Sequence, residues 1–272
     1  MTTALPPSPS WNPEARIGDM LRGRRGLVVG IANADSIAHG CAAALRGLGA
    51  ELAVTWLNAK AERFVRPLAE GLGASLMMPL DVEQPGAMEA VFDRIAEAWG
   101  GLDFVVHSIA FAPREDLQGR VIDCSAEGFA QAMQVSCWSF LRMAKLAEPL
   151  MAGRGGTLVT MSYHGAEKVV EHYNLMGPVK AALEAAVRYM AAELGPKGIH
   201  VHAVSPGPLR TRAAGGIAHF DDLIAMAEAR APARRLVDIA EVGRLVAFLV
   251  SGAASGMTGE TIHVDGGLHA MA

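Results

Sequence analysis

The sequence predicts an α/β fold: a single Rossmann-like, doubly wound parallel sheet with helices on both faces. Three observations predict it. Short apolar runs alternate with longer amphipathic ones from Arg25 onward, so strands and helices take turns along the chain. The first apolar run ends in glycine and feeds through a loop into a helical pattern, Gly30-Ile-Ala-Asn-Ala-Asp-Ser36-Ile-Ala-His-Gly40. The composition, 51% hydrophobic and 19% charged over 272 residues, suits one sizeable core.

The elements follow in order. Residues 26–30 read as the first strand and 36–48 as the first helix. Residues 51–56, with Val, Thr and Trp, read as a strand, and 59–71 as a helix. A strand over 75–80, a helix over about 84–99 and a strand over 102–107 continue the alternation. The helical pattern of 126–151 is long enough to predict a bend, and the run 156–162 is the next strand. An alanine-rich helix then runs to about residue 194, followed by a strand over 199–205, a helix over 239–250 and a last strand over 261–264. Right-handed crossovers arrange such strands as a doubly wound sheet. Residues 206–235 break the rhythm, with proline, glycine and arginine but no strand, and read as a lid over a site. Residues 1–20 read as a flexible tail, leaving residues 21–272 as a single domain.

Composition also excludes. A net charge of -4 argues against a nucleic-acid partner, and no apolar run is long enough to span a membrane. Cys41, Cys124 and Cys137 form no C-x-x-C pair, and their odd number points to a reducing, cytoplasmic setting. No His, Asp or Cys spacing suggests a metal.

The chemistry concentrates in residues 162–180, which carry Tyr163, Tyr173 and Lys180. The segment reads as helical, so the seven positions from Tyr173 to Lys180 span nearly two turns, about 10 Å along the axis, on one face. A lysine there leans back toward the tyrosine. A phenol near a fixed cation can donate to a developing oxyanion. Taken alone, the pair is also what an amphipathic helix carrying Tyr and Lys looks like.

The loop after the first strand suits a dinucleotide: Gly30 permits a tight turn, and the helix beyond it faces a pyrophosphate with free N–H groups. Ser36 serves as an N-cap or a phosphate contact, and Gly40 lets the helix pack closely on the sheet. The full G-x-G-x-x-G fingerprint is absent, and structural glycines explain the loop nearly as well. The second strand ends Trp56-Leu57-Asn58 without an acidic residue or a basic cluster, which predicts NADH in preference to NADPH. Lys60 and Arg63 come later, on a solvated helix face. Asp81 ends the third strand, as an adenine contact or a helix N-cap, and His107-Ser-Ile-Ala110 ends the fourth. His107, His164 and His172 read as structural or solvent-facing, and Met133, Met143, Met151, Met161 and Met190 as packing.

Taken together, these motifs resemble the NADH-dependent enoyl-acyl-carrier-protein reductases of bacterial fatty-acid synthesis, a divergent branch of the short-chain dehydrogenase/reductases. The resemblance covers residues 23–268. It rests on Gly30-x5-Ser36-x-Ala38-x-Gly40, His107-Ser-Ile with Phe111-Ala-Pro113, and Tyr163 with Tyr173-x6-Lys180. Downstream, Ser205-Pro-Gly-Pro-Leu-Arg-Thr211 and His263-Val-Asp-Gly-Gly267 extend it. Most short-chain dehydrogenases have Tyr-x3-Lys; the residue four after Tyr173 is Gly177. The family pattern differs at Ala110, Trp56-Leu57 and His172, which bears on substrate length.

The resemblance implies that Gly30, Ser36, Ile37, Leu57, Asp81, Val82 and Ile109 contact the dinucleotide, and that Lys180 holds the nicotinamide ribose hydroxyls. It implies that Leu209, Arg210, Thr211, Arg212 and Ala213 pass beside the nicotinamide and pyrophosphate. Ala112 touches the substrate through its backbone. Tyr173 hydrogen-bonds the thioester carbonyl, and Tyr163 orients the substrate or helps with protonation. The implied reaction is reduction of a trans-2-enoyl thioester carried on acyl-carrier protein, by a homotetramer. The arginines of the lid greet an acidic carrier or form a solvated surface. Two rivals are a ketone or alcohol reductase, which Gly177 argues against, and a non-catalytic dinucleotide sensor, which the Tyr173/Lys180 pair argues against.

Overall fold

The computed structural model describes residues 19–211, 215 and 219–271. Most of the segment read as a tail therefore lies outside the described residues, as do Arg212 and Ala213.

Seven strands form one sheet in the order β3-β2-β1-β4-β5-β6-β7. They are β1 (Arg25–Val29), β2 (Glu51–Trp56), β3 (Leu76–Pro79), β4 (Phe104–His107), β5 (Gly156–Met161), β6 (Ile199–Pro206) and β7 (Glu260–Val264). Every neighbouring pair is parallel. The chain winds outward from β1 through β2 and β3, then returns to β4 on the other side. The β1/β4 boundary is thus the switch point, where a crevice opens at the carboxyl ends of the strands.

Neighbouring residues of the central strands feed opposite cores, which is why these strands read as nearly unbroken apolar runs. Leu27, Val29 and Val105 pack in the layer that holds Phe140, Met143, Leu183 and Val187. Val28, Val54 and Val106 pack in the layer that holds Cys41, Leu45, Val242 and Val246. The first layer is covered by α3 (Ala87–Trp99), α6 (Ser139–Met151) and α7 (Met176–Leu194), the second by α1 (Ile37–Gly47), α2 (Ala59–Gly71) and α9 (Ile239–Val250). Short α4 (Arg114–Gln118), α5 (Ala126–Met133) and α8 (Phe220–Arg230) complete the helices used below. No helix among the described residues is long and apolar enough to cross a membrane.

Four sequence expectations need correction or refinement. Gly40 serves helix–helix contact and not contact with the sheet. A Cβ there would lie 2.4 Å from the Ile239 carbonyl oxygen at the start of α9, and one on Gly243 would lie 2.4 Å from the Gly40 oxygen. Asp81 is not a helix N-cap: Gly86 holds that position for α3, and the Asp81 carboxylate accepts from the Glu83 N–H at 3.0 Å. The bend expected within 126–151 is a π-helical turn, Gln134–Trp138, between α5 and α6. The lid region contains a helix, α8, but no strand among its described residues.

A further correction touches the site itself. Tyr173 lies in the turn before α7 and not within a helix, so the two-turn argument does not apply to it. Pro178 is the reason. Within the first turn of α7 its missing N–H has no consequence, but a helix running back through Tyr173 would need that N–H to reach Asn174. His172 and Asn174 instead take left-handed backbone, φ 64° and 43°, on either side of the tyrosine.

Candidate active site

A cleft of about 390 Å³ opens at the carboxyl edge of the sheet, and Ile37, Ile109, Ala112, Tyr163, Tyr173, Lys180, Leu209 and Thr211 all line it. Each arrives from the end of a different element. Gly30 directly follows β1, and its φ of 110° and close approach to the residue after β4 suit glycine. A Cβ there would lie 2.0 Å from the Ser108 carbonyl oxygen. Ser36 occupies the N-cap position of α1, but its side chain makes no cap bond. Its hydroxyl instead donates to the Asn33 carbonyl at 2.7 Å, closing the loop and leaving the first turn of α1 without a side-chain cap. A narrow glycine cradle beside an uncapped helix start fits a pyrophosphate.

The segment after β4 is fixed by the π-helical turn. The fully buried Ser136 accepts from the Phe111 N–H at 2.9 Å and donates to the Phe111 carbonyl at 3.1 Å, one residue before Ala112. His107 is fully buried between the Thr160 and Ser139 hydroxyls, each 2.8 Å away. Burial, helped by the Lys180 charge, holds its pKa down at about 3, so it stays neutral and structural.

The turn before α7 sets Tyr173 edge-on against Tyr163 at the end of β5, with ring centroids 4.8 Å apart at 63°. Burial pushes the Tyr163 phenol up to about 12 and raises Tyr173 as well, with the Tyr163 and Glu184 charges adding to the second shift. Both rings therefore keep their hydroxyl protons near neutral pH. Lys180, in the second turn of α7, is buried, and its ammonium donates to the Met161 carbonyl at 2.6 Å. Burial lowers its pKa to about 8 against the opposing influence of Cys137 and Glu184. The tyrosines and the lysine thus meet in one cleft as neutral donors beside a cation.

Other expected residues lie apart from the cleft lining. Gly30 and Ser36 lie in the loop at the switch point, next to lining residue Ile37 but outside the lining itself. Leu57 is exposed at the end of β2, Val82 is buried in the core, and Asp81 closes its own turn. Arg210 pairs with Asp221 of α8 at 2.8 Å, and Arg235 with Glu241 at 2.7 Å, so neither lid arginine is free of a carboxylate. Several lining residues went unnoticed in the sequence: Ser162, Met176 and Leu117, and Phe220 and Leu223 from α8. Ser162 sits beside Tyr163 and was legible by adjacency; the α8 pair had no motif to mark it.

A parallel sheet with a glycine cradle at its switch point, and a buried Tyr/Lys pair at the same edge, defines an oxidoreductase of the short-chain dehydrogenase/reductase class. The sequence model of the family described as enoyl-(acyl carrier protein) reductase matches residues 30–269. The chain belongs to that family. It is 46% identical over 255 residues to enoyl-[acyl-carrier-protein] reductase [NADH] 1 of Rhizobium meliloti (strain 1021), covering 94% of this chain and 93% of that one. The structure of the Anaplasma phagocytophilum enoyl-(acyl-carrier-protein) reductase in complex with NAD superposes with a TM-score of 0.90 at 45% identity, over 94% of this chain and 97% of that one. The Bacillus cereus reductase, solved with NADP+ and indole naphthyridinone, gives a TM-score of 0.91 at 42% identity, over 93% and 99% of the two chains.

Proposed function

We propose that this protein reduces the trans-2 double bond of enoyl thioesters carried on acyl-carrier protein, using NADH, in the last reductive step of fatty-acid elongation. The observation that carries this reading is the convergence of Tyr173, Tyr163 and Lys180 in one cleft at the switch edge. Label from deuterated NADH should appear at the β-carbon of the saturated product by mass spectrometry; label elsewhere, or none, would reject the reaction.

When bound, the nicotinamide supplies the hydride. Gly30, Ser36, Ile37 and Ile109 hold the dinucleotide at the switch point, with Leu57, Asp81 and Val82 toward the adenosine end and Leu209 to Thr211 beside the pyrophosphate. Arg212 and Ala213 complete that last segment. Lys180 donates to the ribose hydroxyls and keeps the cleft positive. Ala112 bears on the substrate through its backbone, held in place by Ser136. Tyr173 donates to the thioester oxygen as negative charge grows there; one such donor contributes roughly 3–4 kcal/mol to lowering the barrier. Tyr163, packed edge-on against it, orients the substrate.

NADH is preferred over NADPH. Nothing basic follows Trp56 directly, the Arg63 guanidinium lies over the Phe64 ring, and Arg66 is paired with Glu62 and stacked on Trp56. With no basic cluster at the end of β2 to meet a 2′-phosphate, kcat/KM should favour NADH by about tenfold or more, a difference of about 1.4 kcal/mol. Parity between the two cofactors would reverse the assignment and implicate Lys60 or Arg63.

α8 acts as the lid within residues 206–235, because Phe220 and Leu223 close one wall of the cleft. Its amides should exchange more slowly once NADH and a substrate analogue are bound. Exchange that is equally slow with and without ligands would rule the lid out.

The protein works in the cytoplasm as a homotetramer. Phe129, Trp138 and Leu141 on the α5–α6 arm, Tyr189 on α7 and Phe248 on α9 expose large apolar side chains that an interface would cover. Light scattering at micromolar concentration should give four chains; a stable monomer would reject this.

A further inference from the structure

We propose that Glu184 and Ser162 form a proton-delivery branch that resupplies the cleft from solvent, with Glu184 acting through Ser162. The proposal rests on the reductase reading above.

The geometry is that of a relay. Glu184 follows Lys180 by one turn of α7, so the two lie on one face of the helix. Glu184 and Ser162 are both buried, 6% exposed each, and the Ser162 hydroxyl donates to the Glu184 carboxylate. Ser162 also lines the cleft with both tyrosines. Glu167, in the turn after β5, has a side chain 42% exposed that lies 3.2 Å from His263 of β7, and its charge is felt at Glu184. Glu184 is therefore bonded to a hydroxyl of the cleft and lies within electrostatic reach of a carboxylate at the surface.

A buried carboxylate is costly to keep charged unless a cation meets it. One Lys180 N–H goes to the Met161 carbonyl, and no ion pair to Glu184 occurs among the described residues. Burial raises the Glu184 pKa, and Glu167 adds to the rise, while the Ser162 hydroxyl, Arg188 and Lys180 pull the other way. The group thus holds a proton more readily than an ordinary glutamate. Its charge also reaches Tyr173, whose phenol it raises.

The balance is simple. Reduction of the double bond consumes one hydride, which NADH supplies, and one proton. A C–H bond forms at the α-carbon as an O–H bond in the cleft breaks, and that oxygen must regain a proton before the next turnover. In the resting arrangement the Ser162 hydroxyl donates to the carboxylate; once Glu184 is protonated the bond reverses, the carboxyl giving its proton to Ser162 Oγ as the Ser162 hydroxyl releases its own into the cleft. The carboxylate left behind is reprotonated from solvent on the Glu167 side, so no charge accumulates.

Glu184→Gln keeps the size and an acceptor for Ser162 but cannot deliver a proton. It should lower kcat about 10-fold, within the range of proton-transfer effects. NADH affinity should stay within about twofold, and the solvent deuterium isotope effect on kcat should rise as proton supply becomes limiting. Added imidazole or formate buffer should restore part of the rate. Ser162→Ala should behave alike, and the double substitution should be no slower than the slower single one. If kcat and the isotope effect stay within about twofold of the unchanged protein, the branch does not exist. A fall in kcat with an unchanged isotope effect and no buffer rescue would show a clamp between β5 and α7, and would also overturn the proposal. Should Glu184→Gln fail to fold, Ser162→Ala is judged by the same criteria. No enoyl turnover by the unchanged protein would instead remove the reductase reading on which the branch depends.

Discussion

Tyr173→Phe is expected to lower kcat by between about 10-fold and about 1,000-fold, the upper end matching loss of one oxyanion donor. NADH affinity should stay within a few-fold. The reasoning is differential. Substitution removes one hydroxyl and keeps the ring, so the edge-on packing against Tyr163 at 4.8 Å survives. What is lost is a hydrogen bond that strengthens as charge moves onto the thioester oxygen, and such a loss appears in kcat and not in binding. Burial holds the Tyr173 proton in place, so the donor is fully formed at neutral pH. The span of the estimate reflects Tyr163, which can take over part of the donation. Tyr163→Phe should accordingly be milder, and the double substitution worse than either. Loss of NADH binding in Tyr173→Phe with normal kcat at saturation would move Tyr173 to the cofactor contacts.

Lys180→Ala should fail in the opposite way, with NADH affinity falling by about 100-fold, in line with loss of a charge-assisted donor worth up to about 3 kcal/mol. The lysine is buried and its ammonium is fixed by the Met161 carbonyl at 2.6 Å, so its charge is held in one place beside the cleft. Alanine also leaves a cavity beneath the cleft, and Lys180→Met, which fills it, should show the same loss. The pH dependence follows from the same group. Burial brings its pKa down to about 8, so the free protein carries the cation below that pH and loses it above. NADH affinity should therefore weaken as pH rises from about 7 to about 9.5, by about 30-fold if only the ammonium binds well. The dependence should vanish in Lys180→Met. Calorimetry across that range checks both statements; a flat profile in the unchanged protein would separate Lys180 from the cofactor.

The sheet was legible because its strands are buried on both faces, which makes them continuous apolar runs that no surface helix would show. The bounds of β2, α2 and α9 coincide with those read from the sequence. The position of Tyr173 is hidden in the sequence because the alanine-rich run beyond it continues a helical pattern backward, and Pro178 alone marks where the helix begins. Gly40 was recognised as a close-packing glycine, but its neighbour is Ile239, some two hundred residues away, and sequence order carries no trace of that contact. The same limit hid the bonds from Ser136 to Phe111 and from Ser162 to Glu184. Serines in apolar helices and at strand ends are common, and only the folded chain shows which of them faces a cleft. α4 is a single short turn of helix with no periodicity to announce it. The three groups that carry the chemistry were found because their types and spacing form a recognisable set; the residues that hold them in place were not.

The account turns on the claim that the cleft reduces a carbon–carbon double bond conjugated to a thioester, and one steady-state comparison addresses it directly. Crotonyl and longer trans-2-enoyl thioesters should be presented beside the matching 3-ketoacyl thioesters, with NADH consumption followed by absorbance. The account predicts NADH-dependent turnover of the enoyl thioesters and little or none of the ketoacyl set. Faster turnover of the ketoacyl thioesters, or NADH binding with no turnover of either set, would contradict it.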